Sequence, residues 1–222
     1  MIPNHSTRPA RLVSVNVGEV RQLEWEGRLV ETGIWKHPVD GPVKVAGVNL
    51  AGDDQADRRV HGGPDKAVYA YAVEDYGWWG HQLGRELSPG TFGENLTVSG
   101  LDLSGSLIGE RWSAGTTLLE VTQPRLPCSK LAIRMGDPAF ADRFEEAQRF
   151  GVYLRIIEEG EVQAGDDVRV VSRPEHDFTI TELGRSSARP DQTTVRRILS
   201  TPQVPESWRE WAVRANRREA GR

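Results

Sequence analysis

Short runs of alternating hydrophobic and polar residues fill the first three quarters of the chain and predict a mainly β protein. Val13, Val15 and Val17 alternate with polar positions. The run KAVYAYAV, from Lys66 to Val73, has the β-branched and aromatic residues typical of a buried strand. EEGE, at 158–161, has the composition of a hairpin turn between two further strands. Together these runs predict a barrel or a sandwich of short strands, interrupted by a few helices.

Two helices are predicted inside this β-rich region, because apolar residues recur there at helical spacing. The first places Tyr76, Trp79 and Leu83 on one face. The second is predicted to begin with Asp137 as its N-cap and to end at Gly151. The buried face of this second helix is predicted to contain Phe140, Phe144 and Ala147.

The strand pattern ends near residue 173, and the rest of the chain predicts three amphipathic helices. The first covers 180–186. The apolar faces of the other two consist of Val195, Ile198 and Leu199, and of Trp208, Trp211, Ala212 and Ala215. We therefore predict a barrel domain over 10–173 and a small three-helix domain over 174–222.

Composition narrows the classes of protein to which the chain can belong. The 222 residues include one cysteine, Cys128, which cannot form an internal disulfide. The first residues are polar and broken by proline, unlike a secretory signal, so the expected location is the cytoplasm. No apolar run is long enough to span a bilayer. A net charge of -4 argues against general binding to nucleic acid or to a membrane surface, so a small-molecule partner is expected.

A glycine-rich turn between Arg58 and Tyr69 is the first candidate for chemistry. It combines His61, Asp65 and Lys66, three kinds of side chain that exchange protons, around a Gly-Gly-Pro sequence. Glycine there lets backbone approach a ligand closely. The alternative is a tight turn whose charged side chains are simply solvated. We favour a catalytic or binding site.

Asn95, within PGTFGENLTVSG, is the second candidate. Its amide offers both donors and an acceptor, which suits recognition of a flat heterocycle. The alternative is that Asn95 hydrogen-bonds its own backbone in a loop.

Cys128 is the third candidate, because two cationic side chains and two prolines flank it. Arg125 and Lys130 favour the thiolate, the form that acts as nucleophile or metal ligand. A structural zinc site requires about four cysteine or histidine ligands in paired spacings, which the sequence lacks. Three interpretations stay open: a small buried hydrophobe, a nucleophile with His61 as its base, or one thiolate on a metal that brings its other ligands.

Five segments, in this order, resemble the MOSC domain proteins and most closely the YiiM group: GDDQADRRVHGGPDKAVYAY, FGENLT, LIGERW, QPRLPCSKL and AGDDV. The similarity runs from about Val30 to Val171. The helical tail resembles the three-helix extension of that group.

This resemblance implies a MOSC-type β-barrel that binds the molybdenum cofactor, a pterin dithiolene (molybdopterin) with a phosphate tail. It implies that Cys128 is the protein ligand to the metal, since the pterin supplies further ligands. The anionic cofactor requires cationic partners, for which the candidates are Arg59, Arg125 and Lys130. Asn95 is the candidate that contacts the pterin edge.

The resemblance also implies a molybdenum-dependent oxidoreductase that reduces N-hydroxylated compounds, such as N-hydroxylated purine bases, to amines. His61 is then the expected proton donor, with Asp65 and Lys66 orienting it or setting its charge. No nucleotide-binding glycine motif is present for a nicotinamide or flavin, so a separate electron-transfer reductase is the expected partner. The protein is expected to act as a monomer or homodimer.

Two other functions stay open for the same domain. Cys128 can instead carry a persulfide for sulfur transfer. Alternatively, the domain can bind the cofactor without catalysis, with the helical tail as a docking surface.

Overall fold

The computed structural model describes residues 9–56 and 62–220, and it contains thirteen strands and six helices within these ranges. The strands are β1 (Arg11–Val17), β2 (Arg21–Trp25), β3 (Arg28–Thr32), β4 (His37–Pro38), β5 (Val43–Ala46), β6 (Asn49–Leu50), β7 (Val68–Ala72), β8 (Leu96–Ser99), β9 (Arg111–Ala114), β10 (Thr117–Pro124), β11 (Val152–Glu158), β12 (Gly160–Val162) and β13 (Val168–Ser172). The helices are α1 (Val73–Leu83), α2 (Ser129–Met135), α3 (Phe140–Ala147), α4 (Ile180–Ala188), α5 (Gln192–Ser200) and α6 (Glu206–Ala220), and Pro64–Lys66 form a 3₁₀ turn.

Eight of these strands form one mixed sheet in the order β13-β9-β10-β11-β7-β8-β1-β4. Only β7 and β8 pair in parallel among the described strands of this sheet. A three-stranded sheet, β12-β5-β6, and the separate hairpin β2-β3 complete the β structure. The mainly β prediction is therefore confirmed.

The two ends of the large sheet are joined by a short seam rather than by a full strand ladder. Leu12 N donates to Asp166 O at 2.9 Å, Gly165 N to Leu12 O at 2.8 Å, and Val168 N to Ala10 O at 2.8 Å. The sheet thus curls round on itself. The described strands do not form a closed barrel, although the predicted short strands with a few helices and a three-helix tail are present.

A β-bulge in β1 changes the alternation expected for its valines. The register with β8 shifts between Leu12 and Ser14, which leaves Val13 as the extra residue. Val13 is accordingly 46% exposed, whereas Val15 is completely buried. By contrast, all five residues of β7 are buried, as the run from Lys66 to Val73 predicted.

The hairpin predicted at 158–161 does not form. β11 and β12 lie on either side of Glu159 but pair with different strands, β11 with β10 and β7, and β12 with β5. Strand partners far apart in the chain override the local turn signal here.

The helix predictions hold for α1 and, with a different start and an end at Ala147 rather than Gly151, for α3. Tyr76 and Trp79 are buried on α1. The helix predicted to begin at Asp137 begins at Phe140, because Asp137 accepts from Ala139 N and holds a preceding turn instead. Phe140 and Phe144 are fully buried.

Two apolar clusters occupy opposite faces of the large sheet. One joins the inner faces of the strands to the helical tail, including Ile198, Trp208 and Ala212. The prediction that Trp208 belongs to the core is confirmed, and Trp211 packs against the same cluster. The domain boundary at residue 173 stays a prediction. None of the described helices is both long and apolar enough to cross a bilayer.

The other cluster is aromatic and lies under α1, α2 and α3. The rings of Tyr71 and Phe92 stack at 4.3 Å, and those of Trp79 and Phe144 lie parallel at 6.0 Å. Cys128 packs partly against this cluster. The aromatic layer therefore supports the segment that carries the only thiol.

Candidate active site

An open pocket of about 550 Å³, a volume that includes space continuous with solvent, lies where the chain entering β4, the loop after β6 and the start of α2 meet. Its lining consists of Thr32, Gly33, Ile34, Lys36, Asp54, Gln55, Ala56, Lys66, Tyr69, Gly93, Asn95, Arg125, Cys128, Lys130 and Tyr153. Five residues predicted from the sequence for catalysis or cofactor binding are among them: Lys66, Asn95, Arg125, Cys128 and Lys130.

Cys128 lies at the N-cap of α2, directly after the segment that leaves β10. Pro124 ends β10 and Pro127 precedes the cysteine, so the connecting backbone has few conformations available. The thiol is partly exposed at the pocket. Arg125 Nη2 lies 3.8 Å from Cys128 Sγ, which is a sulfur hydrogen bond that favours the thiolate.

Arg125 is a buried cation, and among the described residues no carboxylate forms an ion pair with it. Its Cζ atom lies 5.7 Å from the ring centroid of Tyr69 and 5.5 Å from that of Phe144. Burial alone would lower the pKa of Arg125, but the negative charges of Cys128 and of the nearby tyrosines raise it above its ordinary value. Its Nη1 atom is buried without a hydrogen-bond partner. A buried donor without a partner is uncommon in folded proteins, and such groups are found at functional sites.

Asp65 and Lys66 lie in the 3₁₀ turn that precedes β7, and although they were predicted to act together, they have different surroundings. Lys66 lines the pocket, and burial lowers its pKa, which the nearby Asp65 partly offsets. The Asp65 carboxylate accepts a hydrogen bond from Arg155 Nε at 2.9 Å. Arg155 lies on the neighbouring strand β11. Asp65 therefore anchors the turn to the sheet.

The same turn is linked to the helical tail through one glutamine. Gln123 Nε2 donates to Asp65 O at 3.3 Å, and Thr122 Oγ1 donates to the same oxygen at 2.6 Å. Gln123 Oε1 accepts from Trp208 Nε1 at 2.9 Å. The backbone of the turn thus connects to α6 through a chain of two hydrogen bonds.

Asn95 lies in the pocket wall with its amide bonded to other parts of the protein. Its oxygen accepts from Tyr69 N at 3.1 Å, and its nitrogen donates to Asp53 Oδ2 at 2.9 Å and to Asn16 O at 3.3 Å. These long-range bonds replace the local backbone bond considered for Asn95. The amide braces the wall, and its predicted contact with a pterin stays a prediction.

A buried ion pair that the sequence did not indicate lies beside Asn95. Lys36 lines the pocket and pairs with Asp53, and both side chains are almost fully buried. Burial lowers the pKa of Lys36, although the charge of Asp53 opposes this effect. Gly18 N also donates to Asp53, at 2.9 Å. No local spacing signals this pair, because its members are brought together by different loops.

Glu94, next to Asn95, is a completely buried carboxylate. Its Oε1 accepts from Tyr76 Oη, from Gly90 N at 2.7 Å and from Thr97 Oγ1 at 2.8 Å. Its Oε2 has no partner. Burial raises the pKa of Glu94, and these hydrogen bonds oppose the increase.

The charge of the pocket is opposite to that of the whole chain. The lining residues that the structure describes include one carboxylate, Asp54, and four cations, Lys36, Lys66, Arg125 and Lys130, of which Lys36 is paired with Asp53. The complete chain has a net charge of -4. The lining is therefore suited to an anionic ligand.

Two predicted residues, Arg59 and His61, lie outside the described residues. Their roles in cofactor binding and proton transfer stay predictions.

Comparisons with known proteins agree with the sequence motifs. The MOSC domain family matches residues 57–169. The uncharacterized protein YflK of Bacillus subtilis is 38% identical over 89% of this chain and 90% of its own length. Protein YiiM of Escherichia coli is 32% identical over 88% of both chains. A Gibberella moniliformis protein named "Reductase" is 29% identical over 80% of this chain, which corresponds to 32% of that longer protein.

Comparison with solved structures identifies proteins of the same group. The crystal structure of YiiM from Geobacillus stearothermophilus superposes with a TM-score of 0.77 and 32% identity, covering 93% of this chain and 98% of that one. Together with the match to YflK, these results place the chain in a family: it belongs to the MOSC domain proteins and is YiiM-like.

Proposed function

We propose that this protein binds the molybdenum cofactor through Cys128 and reduces N-hydroxylated compounds, such as N-hydroxylated purines, to amines. A separate reductase supplies the electrons in this proposal. Membership in the MOSC family supports a cofactor-binding or enzymatic role, and the relative named "Reductase" supports redox chemistry.

The observation that carries the proposal is the pairing of Cys128 with Arg125. The guanidinium is buried, lies 3.8 Å from the thiol sulfur and has one nitrogen without a partner. A buried cation of this kind requires negative charge nearby. The thiolate supplies that charge, and Lys66 and Lys130 in the same lining leave room for an anionic ligand beside it.

The other residues of the lining fit the same group. Lys36, Lys66 and Lys130 provide further positive charge around a ligand that combines a dithiolene with a phosphate. Cys128 would hold the metal as a soft ligand. When bound, the cofactor would supply the two-electron reduction of the N–O bond.

The protein's own task in the reaction is to position the substrate and to supply protons. Lys66 lines the pocket, and burial lowers its pKa, which makes the ammonium a better proton donor. Asp65 holds the backbone of this donor in place through Arg155. His61, four residues before Asp65 in the chain, is the second donor in the proposal.

The test is to express the protein with the cofactor pathway intact and to measure two quantities. Molybdenum per protein is determined by mass spectrometry, and turnover is followed on an N-hydroxylated purine with a chemical reductant. We expect the wild type to retain molybdenum and to form the amine. Cys128→Ala should lose both but keep the fold, because a partly exposed thiol contributes little packing.

Ser129→Ala is the matched control, since Ser129 is the exposed neighbour on α2. It should retain metal and turnover. If Cys128→Ala keeps both, the proposal is wrong. A wild type that carries cyanide-releasable sulfur and no molybdenum would identify a sulfur carrier, and one that binds cofactor without turnover would identify a binding module.

A further inference from the structure

Two arginines lie against one indole ring at the rim of the pocket. Arg21, on β2, has its Cζ atom 3.9 Å from the centroid of Trp35. Arg134, on α2, has its Cζ atom 5.6 Å from the same centroid. Trp35 stands between Ile34 and Lys36, both of which line the pocket.

Neither arginine forms an ion pair within the part of the chain that the structure describes. The Nε atom of Arg134 is buried and has no hydrogen-bond partner. Burial lowers the pKa of Arg134, and the positive charge of Arg21 lowers it further, although Tyr76 and Glu94 act in the opposite direction. Two guanidinium groups thus share one ring without a carboxylate partner among the described residues, and an anion beside them would supply negative charge.

The geometry of α2 connects these arginines to the pocket. Arg134 is one turn beyond Lys130, so the two side chains project from the same face of the helix, and Lys130 lines the pocket. At 1.5 Å per residue, Arg134 lies about 9 Å along the helix axis from Cys128. An anionic group that extends about 9 Å from Cys128 in the direction of α2 would lie beside Arg134.

We propose that Arg21, Trp35 and Arg134 form a subsite for a phosphate monoester on the ligand that occupies the pocket. A phosphate monoester carries a charge of about -1.5 to -2 near pH 7 and three acceptor oxygens, so one group neutralises both arginines. A carboxylate has one charge and two oxygens. The guanidinium fork also matches phosphate geometry.

The ligand class rests on the proposed function. The phosphate belongs either to the tail of the cofactor or to a phosphorylated substrate, such as an N-hydroxylated nucleotide rather than a free base. The chemistry of the subsite is the same in both cases.

The first experiment uses protein without cofactor and needs no molybdenum. Adenosine 5′-monophosphate and adenosine are titrated into wild type, Arg21→Gln and Arg134→Gln by calorimetry. We expect each substitution to weaken nucleotide binding about 10-fold or more, as loss of a charge-assisted hydrogen bond predicts. Adenosine affinity should be the same in all proteins, and nucleotide affinity should fall with added salt.

Arg28→Gln is the matched control, because Arg28 lies exposed at the other end of the same hairpin. It should bind the nucleotide like wild type. Arg21 is exposed, so its variant tests the subsite even if Arg134→Gln folds poorly. The inference is refuted if wild type binds the nucleotide no better than adenosine, or if both arginine variants bind it as wild type does.

The second experiment distinguishes the two sources of phosphate in protein loaded with cofactor. If the cofactor occupies the subsite, loaded wild type no longer binds the nucleotide, and Arg134→Gln contains less molybdenum. If the substrate occupies it, loaded wild type still binds the nucleotide, and Arg134→Gln keeps its metal. Arginine-dependent nucleotide binding by a protein that never acquires molybdenum would refute the proposed function and leave the subsite standing.

Discussion

Replacing Trp208 with phenylalanine tests whether the helical tail stabilises the turn beside the pocket. Trp208 is buried, and its indole N–H donates to Gln123 Oε1 at 2.9 Å. Gln123 in turn donates to the backbone oxygen of Asp65. Phenylalanine keeps an aromatic ring in place but removes the donor.

The expected loss of stability has two parts. An acceptor left buried and unbonded at Gln123 costs about 1 to 3 kcal/mol. The smaller ring adds about 1 kcal/mol of lost packing. A total of about 2 to 4 kcal/mol corresponds to a decrease in Tm of about 5 to 15 °C for a chain of this length.

Thermal unfolding is measured for Trp208→Phe and for Trp211→Phe, the same substitution on the same helix. Trp211 is only partly buried, so its variant should lose less than about 1 kcal/mol. Amide exchange at Lys66, whose N–H donates to Gly63 O, should accelerate only in Trp208→Phe.

A double-mutant cycle with Gln123→Met isolates the hydrogen bond. Once Trp208 is already phenylalanine, removing the glutamine should cost less than it does in wild type, by about 1 kcal/mol. Equal Tm values for the two tryptophan variants, together with additive losses in the cycle, would show that the bond to Gln123 contributes nothing.

Three further predictions concern protons. His61→Ala should lower turnover per bound molybdenum about 10²-fold or more. Wild-type turnover should also fall as pH rises through the range in which histidine loses its proton. Normal turnover in the variant would show that His61 is not the proton donor. Lys66→Met should lower turnover or metal content, whereas the exposed control Lys44→Met should change neither. Burial raises the pKa of Glu94 above 4.5, so the folded state keeps a proton that the unfolded chain has lost, and wild-type stability decreases as pH rises from about 5. In urea unfolding, the stability of Glu94→Gln relative to wild type should therefore increase from pH 5 to 8. Parallel profiles of stability against pH for the two proteins would contradict this.

Sequence patterns predicted the elements whose signal is local. The apolar faces of α1, α5 and α6 follow from helical spacing, and the buried strand β7 follows from its composition. The short helix α2 was missed, because its N-cap is Cys128 itself and its seven residues follow a proline. Cys128 therefore lies at the start of a helix that local patterns did not indicate.

The site was predictable where single residues have unusual neighbours in the chain. Arg125, Cys128 and Lys130 are close in sequence and meet in one pocket. The Lys36–Asp53 pair was not predictable, because tertiary contacts between loops create it. The same holds for the link from Gln123 to Trp208 on α6.

The seam of the large sheet has a consequence for synthesis on the ribosome. The start of β1 emerges well before its partners at 165–168, because strands β2 to β12 lie between them in the chain. Until then the beginning of β1 is an unpaired edge, which other chains can pair with. The pocket walls likewise come from both early and late segments, from Thr32 to Tyr153. A ligand that needs the complete pocket can therefore bind only after translation has passed these segments.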